Sequence, residues 1–153
     1  MDAQNISLIA KNNDVKFTGG IVTAKEAVKA EAKNANVVGG TISAKTVHDD
    51  ADQMTISDGI INAATVEATK ALEMTGGTIH TGTGKGIVSA GSIVMSNGKM
   101  DGDDLTIKST HDIQQTGGDI IANKATLDAG NAIAQTAGSV IAKDTFALSL
   151  IHI

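Results

Sequence analysis

The chain has 153 residues, a formal net charge of −5 and 41% hydrophobic residues, of which almost none are aromatic. It has no cysteine, tryptophan, tyrosine or proline, which excludes a disulfide framework, a thiolate metal site and the aromatic platforms on which single-stranded nucleic acid stacks. Its 12 basic residues are all lysines spread singly, so there is no basic stripe for a phosphate backbone, and no apolar run is long enough to cross a bilayer.

The opening residues Met1 to Asn5 carry neither a basic n-region nor an apolar h-region, so no signal peptide is expected there. The first strong signal is the turn Gly19-Gly20, with Val15 and Phe17 before it and Val22 and Ala24 after it. The same spacing returns at Gly39-Gly40 with Ala35, Val37, Ile42 and Ala44, then at Asp58-Gly59 with Met54, Ile56, Ile61 and Ala63. Gly76-Gly77 is framed by Leu72, Met74, Ile79 and Thr81, and Asn97-Gly98 by Ile93, Met95, Met100 and Gly102. Gly117-Gly118 is framed by Ile113, Gln115, Ile120 and Ala122, and Gly138 by Ile133, Gln135, Val140 and Ala142. Spacing by two on both sides of a turn is the strand period, so each unit contributes short strands that meet at a glycine corner.

Between the inward columns runs an outward one, two residues before each glycine: Thr18, Val38, Ser57, Thr75, Ser96, Thr116 and Thr136. Farther from the corner the register loosens; Val47, Val66 and Leu105 lie seven past their glycines, whereas Val28, Leu127 and Phe146 are offset. Two stretches, 24–33 and 63–73, have strong intrinsic helix propensity, yet the repeat assigns both to strands because stacking decides in segments this short.

A unit of about twenty residues cannot bury an apolar face alone, but equivalent strands stacked directly above one another bury every inward column. The expected fold is an all-β parallel β-helix of about seven coils, a rod roughly 34 Å long at the usual strand spacing. The absence of proline fits a chain in which nearly every segment donates to a ladder. Left-handed hexapeptide helices require an apolar residue every six, and ice-binding solenoids two aligned threonine columns; neither pattern is present.

The unit 117–133, Gly-Gly-Asp-Ile-Ile-Ala-Asn-Lys-Ala-Thr-Leu-Asp-Ala-Gly-Asn-Ala-Ile, resembles the repeats of filamentous haemagglutinin-type exoproteins, including the stalks of contact-dependent inhibition toxins. The resemblance covers nearly the whole chain. It implies a right-handed parallel β-helix, export through an outer-membrane pore of the two-partner secretion type, and display at the bacterial surface as an adhesin or toxin stalk, with a cell-surface receptor as a further partner. Members carry an amino-terminal secretion domain and often a carboxy-terminal effector, so the chain is expected to be an internal fragment: residues 1–148 one repeat domain, and 149–153 a non-native tail, since Leu148-Ser149-Leu150-Ile151-His152-Ile153 follows no column. Exposed coil edges at both ends predict end-to-end self-association.

No residue stands out as catalytic, cofactor-binding or metal-ligating, and no cofactor is expected. Thr81-Gly82-Thr83-Gly84-Lys85-Gly86 is similar to a phosphate loop but fails its spacing, with Ile79 where the first glycine belongs and Gly86 in place of the hydroxyl. The acidic runs 48–52 and 101–104 lack the order of a calcium loop and read as solvated loops. His48, His80 and His111 occupy unrelated repeat positions, so no pair is expected to share a face. A polysaccharide-active β-helix enzyme is the rival of another class; its clustered acids, arginines and aromatic sugar platforms are missing. The irregular stretch from Gly82 to Asp104 is the one place where an adhesive surface is expected.

Overall fold

The computed structural model describes residues 2–150, and among them every ladder is parallel and no helix occurs. Fourteen strands form three stacks. The first holds β2 (Val15–Phe17), β4 (Asn34–Val37) and β7 (Gln53–Ile56), and the second β5 (Thr41–Ser43) and β8 (Ile60–Asn62). The third holds β1 (Asp2–Ala10), β6 (Thr46–Asp49), β9 (Thr65–Ala68) and β11 (Lys85–Ala90). The longer β3 (Ile21–Ala32), β10 (Ala71–His80), β12 (Ser92–Ser109), β13 (Asp112–Ala129) and β14 (Ala132–Leu150) bend round a corner and run through two or three stacks in turn. Ladder partners are about one repeat apart, as in Met100↔Ile120 and Ile120↔Val140. The architecture is a parallel β-solenoid of about seven coils, as the repeat predicts. The helix-prone stretch at 24–33 lies within β3 through Ala32, where ladders to β1 and β6 outweigh propensity.

The inward columns form one continuous core. Ile56, Ile61, Met74 and Ile79 are fully buried, and each sits directly beneath its equivalent in the next coil. Burying an aliphatic side chain of this size contributes about 1.5–3 kcal/mol, so stability accumulates coil by coil. Gln115 and Gln135 are the polar members of their column, and Gln115 is the buried one. Gln115 Nε2 donates to the carbonyls of Gly118 and Ser139, at 3.0 and 3.1 Å, and so pins two successive corners from inside.

Six of the seven repeat glycines have φ between 75° and 95°, a conformation that side chains oppose. Gly59 is required for space instead: a Cβ there would lie 2.3 Å from Cγ1 of Val37.

The third stack departs from the expected register. Leu105 does not continue the column of Val47 and Val66; that column runs Val28, Val47, Val66, Val88, Ile107, Leu127 and Leu148, while Leu105 aligns with Gly86, Ala125 and Phe146. The distance from the glycine to this column varies from coil to coil: seven residues at Val47 and Val66, eleven at Val88, where residues 81–86 add length, and nine at Ile107 and Leu127. At the chain's end β14 continues the ladder through Leu150, with Leu148↔Leu127 and Leu150↔Ala129. Residues 148–150 therefore do follow the columns, and 151–153 lie outside the described residues. β14 has an open edge, and Phe146, Leu148 and Leu150 stand about half exposed where the same columns one coil earlier are closed.

Candidate functional surface

The outward face is a set of polar columns that interact between coils. Lys45 meets Glu26 at 2.8 Å, Lys29 meets Asp50 at 3.3 Å, and Asn34 Nδ2 donates to Asp14 Oδ1 at 2.8 Å. Lys85, Asp104 and Lys124 alternate in sign up one column. Exposed pairs of this kind contribute about 1 kcal/mol or less each, but they disfavour a slipped register in which like charges would meet.

The extra residues at 81–86 border a shallow groove of about 550 Å³ at the corner between the second and third stacks. Thr81 turns inward and is buried, its hydroxyl donating to the Asp101 carbonyl at 3.2 Å. The neighbouring coil must accommodate it: a Cβ on Gly102 would lie 2.0 Å from Thr81 Oγ1, and one on Gly86 2.2 Å. This is why glycine replaces alanine at position 102 of the small column. Gly82 and Gly84 then adopt left-handed φ in open space and carry the chain outward as a bulge. The segment is therefore an insertion at a corner and has no strand-to-helix phosphate cradle, since β11 follows it.

The bulge and three coils wall the groove with His80, Lys99, Asp101, Asp103, Asn123 and Lys143. Asp101 is flanked by His80 Nδ1 from the coil before and by Lys99 Nζ, at 2.5 Å, on its own strand. Partial burial works against ionisation of Asp101, yet the hydrogen bonds from Lys99 and His80 hold its carboxyl below the usual value. Asp103 is likewise lowered, first by Asn123 Nδ2 at 2.5 Å and then by the Gly84 N–H. The groove thus presents two ionised carboxylates between cations and an amide, a surface able to exchange hydrogen bonds with a polar ligand.

The histidines do not face one another, but each has a partner the spacing did not reveal. His80 stacks on Asp101 because both lie three past their turn glycines; His48 Nδ1 approaches Glu67 Oε2 at 3.2 Å, and His111 Nδ1 donates to the Gly91 carbonyl at 2.9 Å. The column five past the glycine, Gly82, Asp103, Asn123 and Lys143, supplies one wall of the groove and was readable from the same alignment. Of the acidic run 48–52, Asp50 and Asp52 are solvated as expected, held ionised by Thr69 and Lys29 and by Lys70 respectively. Asp49 is not: it points inward and is 1% exposed. Its place in β6, two residues after inward Val47, follows from strand alternation.

Among the described residues, no group of three or more His, Asp or Glu side chains is close enough to hold a metal ion, and no helix is long and apolar enough to cross a membrane. No protein-family model, curated protein or solved structure matches the chain.

Proposed function

We propose that the chain is a non-enzymatic stalk segment of a secreted or surface-displayed bacterial exoprotein of the filamentous haemagglutinin-like type, in which a stiff rod holds binding or effector domains away from the cell. The observation that carries this reading is the unbroken run of inward columns from Val15 to Val140, covered by solvated polar columns that pair between coils. Such a rod needs only its ladder and a soluble exterior, and it lengthens by adding coils. Export would use an outer-membrane pore of the two-partner type acting on a secretion domain elsewhere in the parent protein. A contact-dependent inhibition toxin would use the same rod. The half-exposed apolar edge of β14 supports end-to-end association of isolated chains.

The groove at His80, Asp101 and Asn123 favours a second reading, an adhesive module within the stalk, because it is where the exterior departs from the repeat. A polysaccharide-cleaving site finds less support, as both groove carboxylates are engaged by Lys99, His80 and Asn123.

Antibodies raised against the folded chain should label intact cells of the producing bacterium, and brief external protease should remove the signal. Labelling that appears only after permeabilisation would overturn the proposal.

A further inference from the structure

Asp49 is the one charged side chain in an inward column of the third stack, in which Leu8, Ala30, Asp49 and Ala68 are ladder partners in turn and Ala90, Ser109, Ala129 and Leu150 continue the line. Ser109 resolves its polarity by donating to the Gly91 carbonyl at 2.9 Å, whereas neither carboxylate oxygen of Asp49 has a hydrogen-bond partner. The side chain borders an enclosed cavity of about 30 Å³ whose walls include Leu8, Phe17, Val28, Ile42 and Met54. A carboxylate placed there is far costlier than a carboxylic acid.

The charged groups around it all face outward. On its own strand His48 turns to Glu67, at 3.2 Å, and to Asp50, at 3.8 Å; from β3 Lys29 reaches Asp50, and from β9 Thr69 bonds the same carboxylate. From β1, β4 and β7 the cavity receives Leu8, Asn36 and Met54, none of them charged.

The geometry points to Asp49 as a pH-sensitive weak point that holds the amino-terminal coils closed in acid and lets them open as the pH rises. Burial pushes its carboxyl up from 3.8 to about 6, opposed in part by the Ala51 N–H, which lies outside hydrogen-bond geometry, and by His48, with Asp50 adding to the rise. Because the folded value lies above the unfolded one, the folded state binds the extra proton between about pH 4 and 6; stability is full below that window and is lost as pH climbs through 6. Relief is easiest on the amino-terminal side, where only β1 and the second half of β3 cover Asp49 in its stack. The inference is independent of whether the rod is an adhesin or a toxin stalk.

Amide hydrogen exchange, corrected for the intrinsic rate, tests it at Val28 and Val47, with Ile107 and Leu127 as distant reporters. Between pH 4.5 and 7.5 the opening constant at the first pair should rise on the order of thirtyfold, the part above pH 4.5 of a full change of tenfold for each unit by which the two values differ. Asp49→Asn should flatten that rise, and Asp49→Ala, which continues the alanine column, should flatten it and slow opening at pH 7.5. His48→Gln separates the neighbouring imidazole and should leave the rise intact. Retention of the rise in both Asp49 variants, its loss in His48→Gln, or an equal rise at the distant reporters would overturn the inference.

Discussion

Ile120→Asp is expected to destabilise the fold by about 4 kcal/mol or more, in the tail of single-substitution effects. Ile120 is 2% exposed and lies in register between Met100 and Val140, so a carboxylate there would have apolar neighbours above and below and no partner. The adjacent Asp119 points the other way, exposed, with Oδ1 accepting from Ser139 Oγ at 2.5 Å. Asp119→Asn keeps that acceptor and should cost less than about 0.5 kcal/mol. Denaturant midpoints measure both. Equal midpoints would mean that inside and outside have been exchanged at this corner.

Gly98→Ala is expected to cost about 3 kcal/mol or more, because it combines two penalties. Its φ of 95° is one that side chains adopt only at a cost of about 1–2 kcal/mol. In addition, the new methyl would sit 2.7–2.8 Å from the backbone of Gly76 and Gly77, which cannot move without parting two coils. Gly20→Ala isolates the first penalty, since its φ is 87° and nothing lies within 4 Å of the added Cβ. That variant should lose about 1 kcal/mol, so the difference between the two reports the close approach of stacked corners. If both cost the same by thermal or chemical unfolding, the corners do not stack as closely as described.

The corner was legible in the sequence because two constraints coincide there. A left-handed turn selects glycine, and the strand period on either side selects alternate apolar residues, so Met95, Gly98 and Met100 identify one another without reference to the rest of the chain. The third stack was harder to read because its distance from the glycine is not constrained. Val88 lies eleven past Gly77 whereas Val66 lies seven past Gly59, and only the ladder between them shows that they are equivalent. β1 escaped notice for a related reason: it has no turn glycine to align it, although its inward Ile6 meets Val28 one repeat on. The groove depends on contacts between coils, such as His80 with Asp101, that become visible once outward columns are aligned with the same care as inward ones. Asp49 shows how composition misleads, for an acidic run beside a turn suggests a solvated loop, while alternation within β6 sends one of its three carboxylates into the core.

Everything rests on coils of about twenty residues stacked in parallel register, and cross-linking tests that register most directly because the chain has no native cysteine. Thr106 and Thr126 are ladder partners on β12 and β13, and both are half-buried on the outward side of the third stack. Parallel partners lie within the Cα separation of about 4.4–6.8 Å that a disulfide spans. Thr116, midway between them in sequence, belongs to a corner of the first stack. Under mild oxidation the pair Thr106→Cys with Thr126→Cys should form an intramolecular disulfide in the folded protein, while Thr106→Cys with Thr116→Cys should not. Equal yields from the two pairs, or no bond between 106 and 126, would contradict the stacked solenoid.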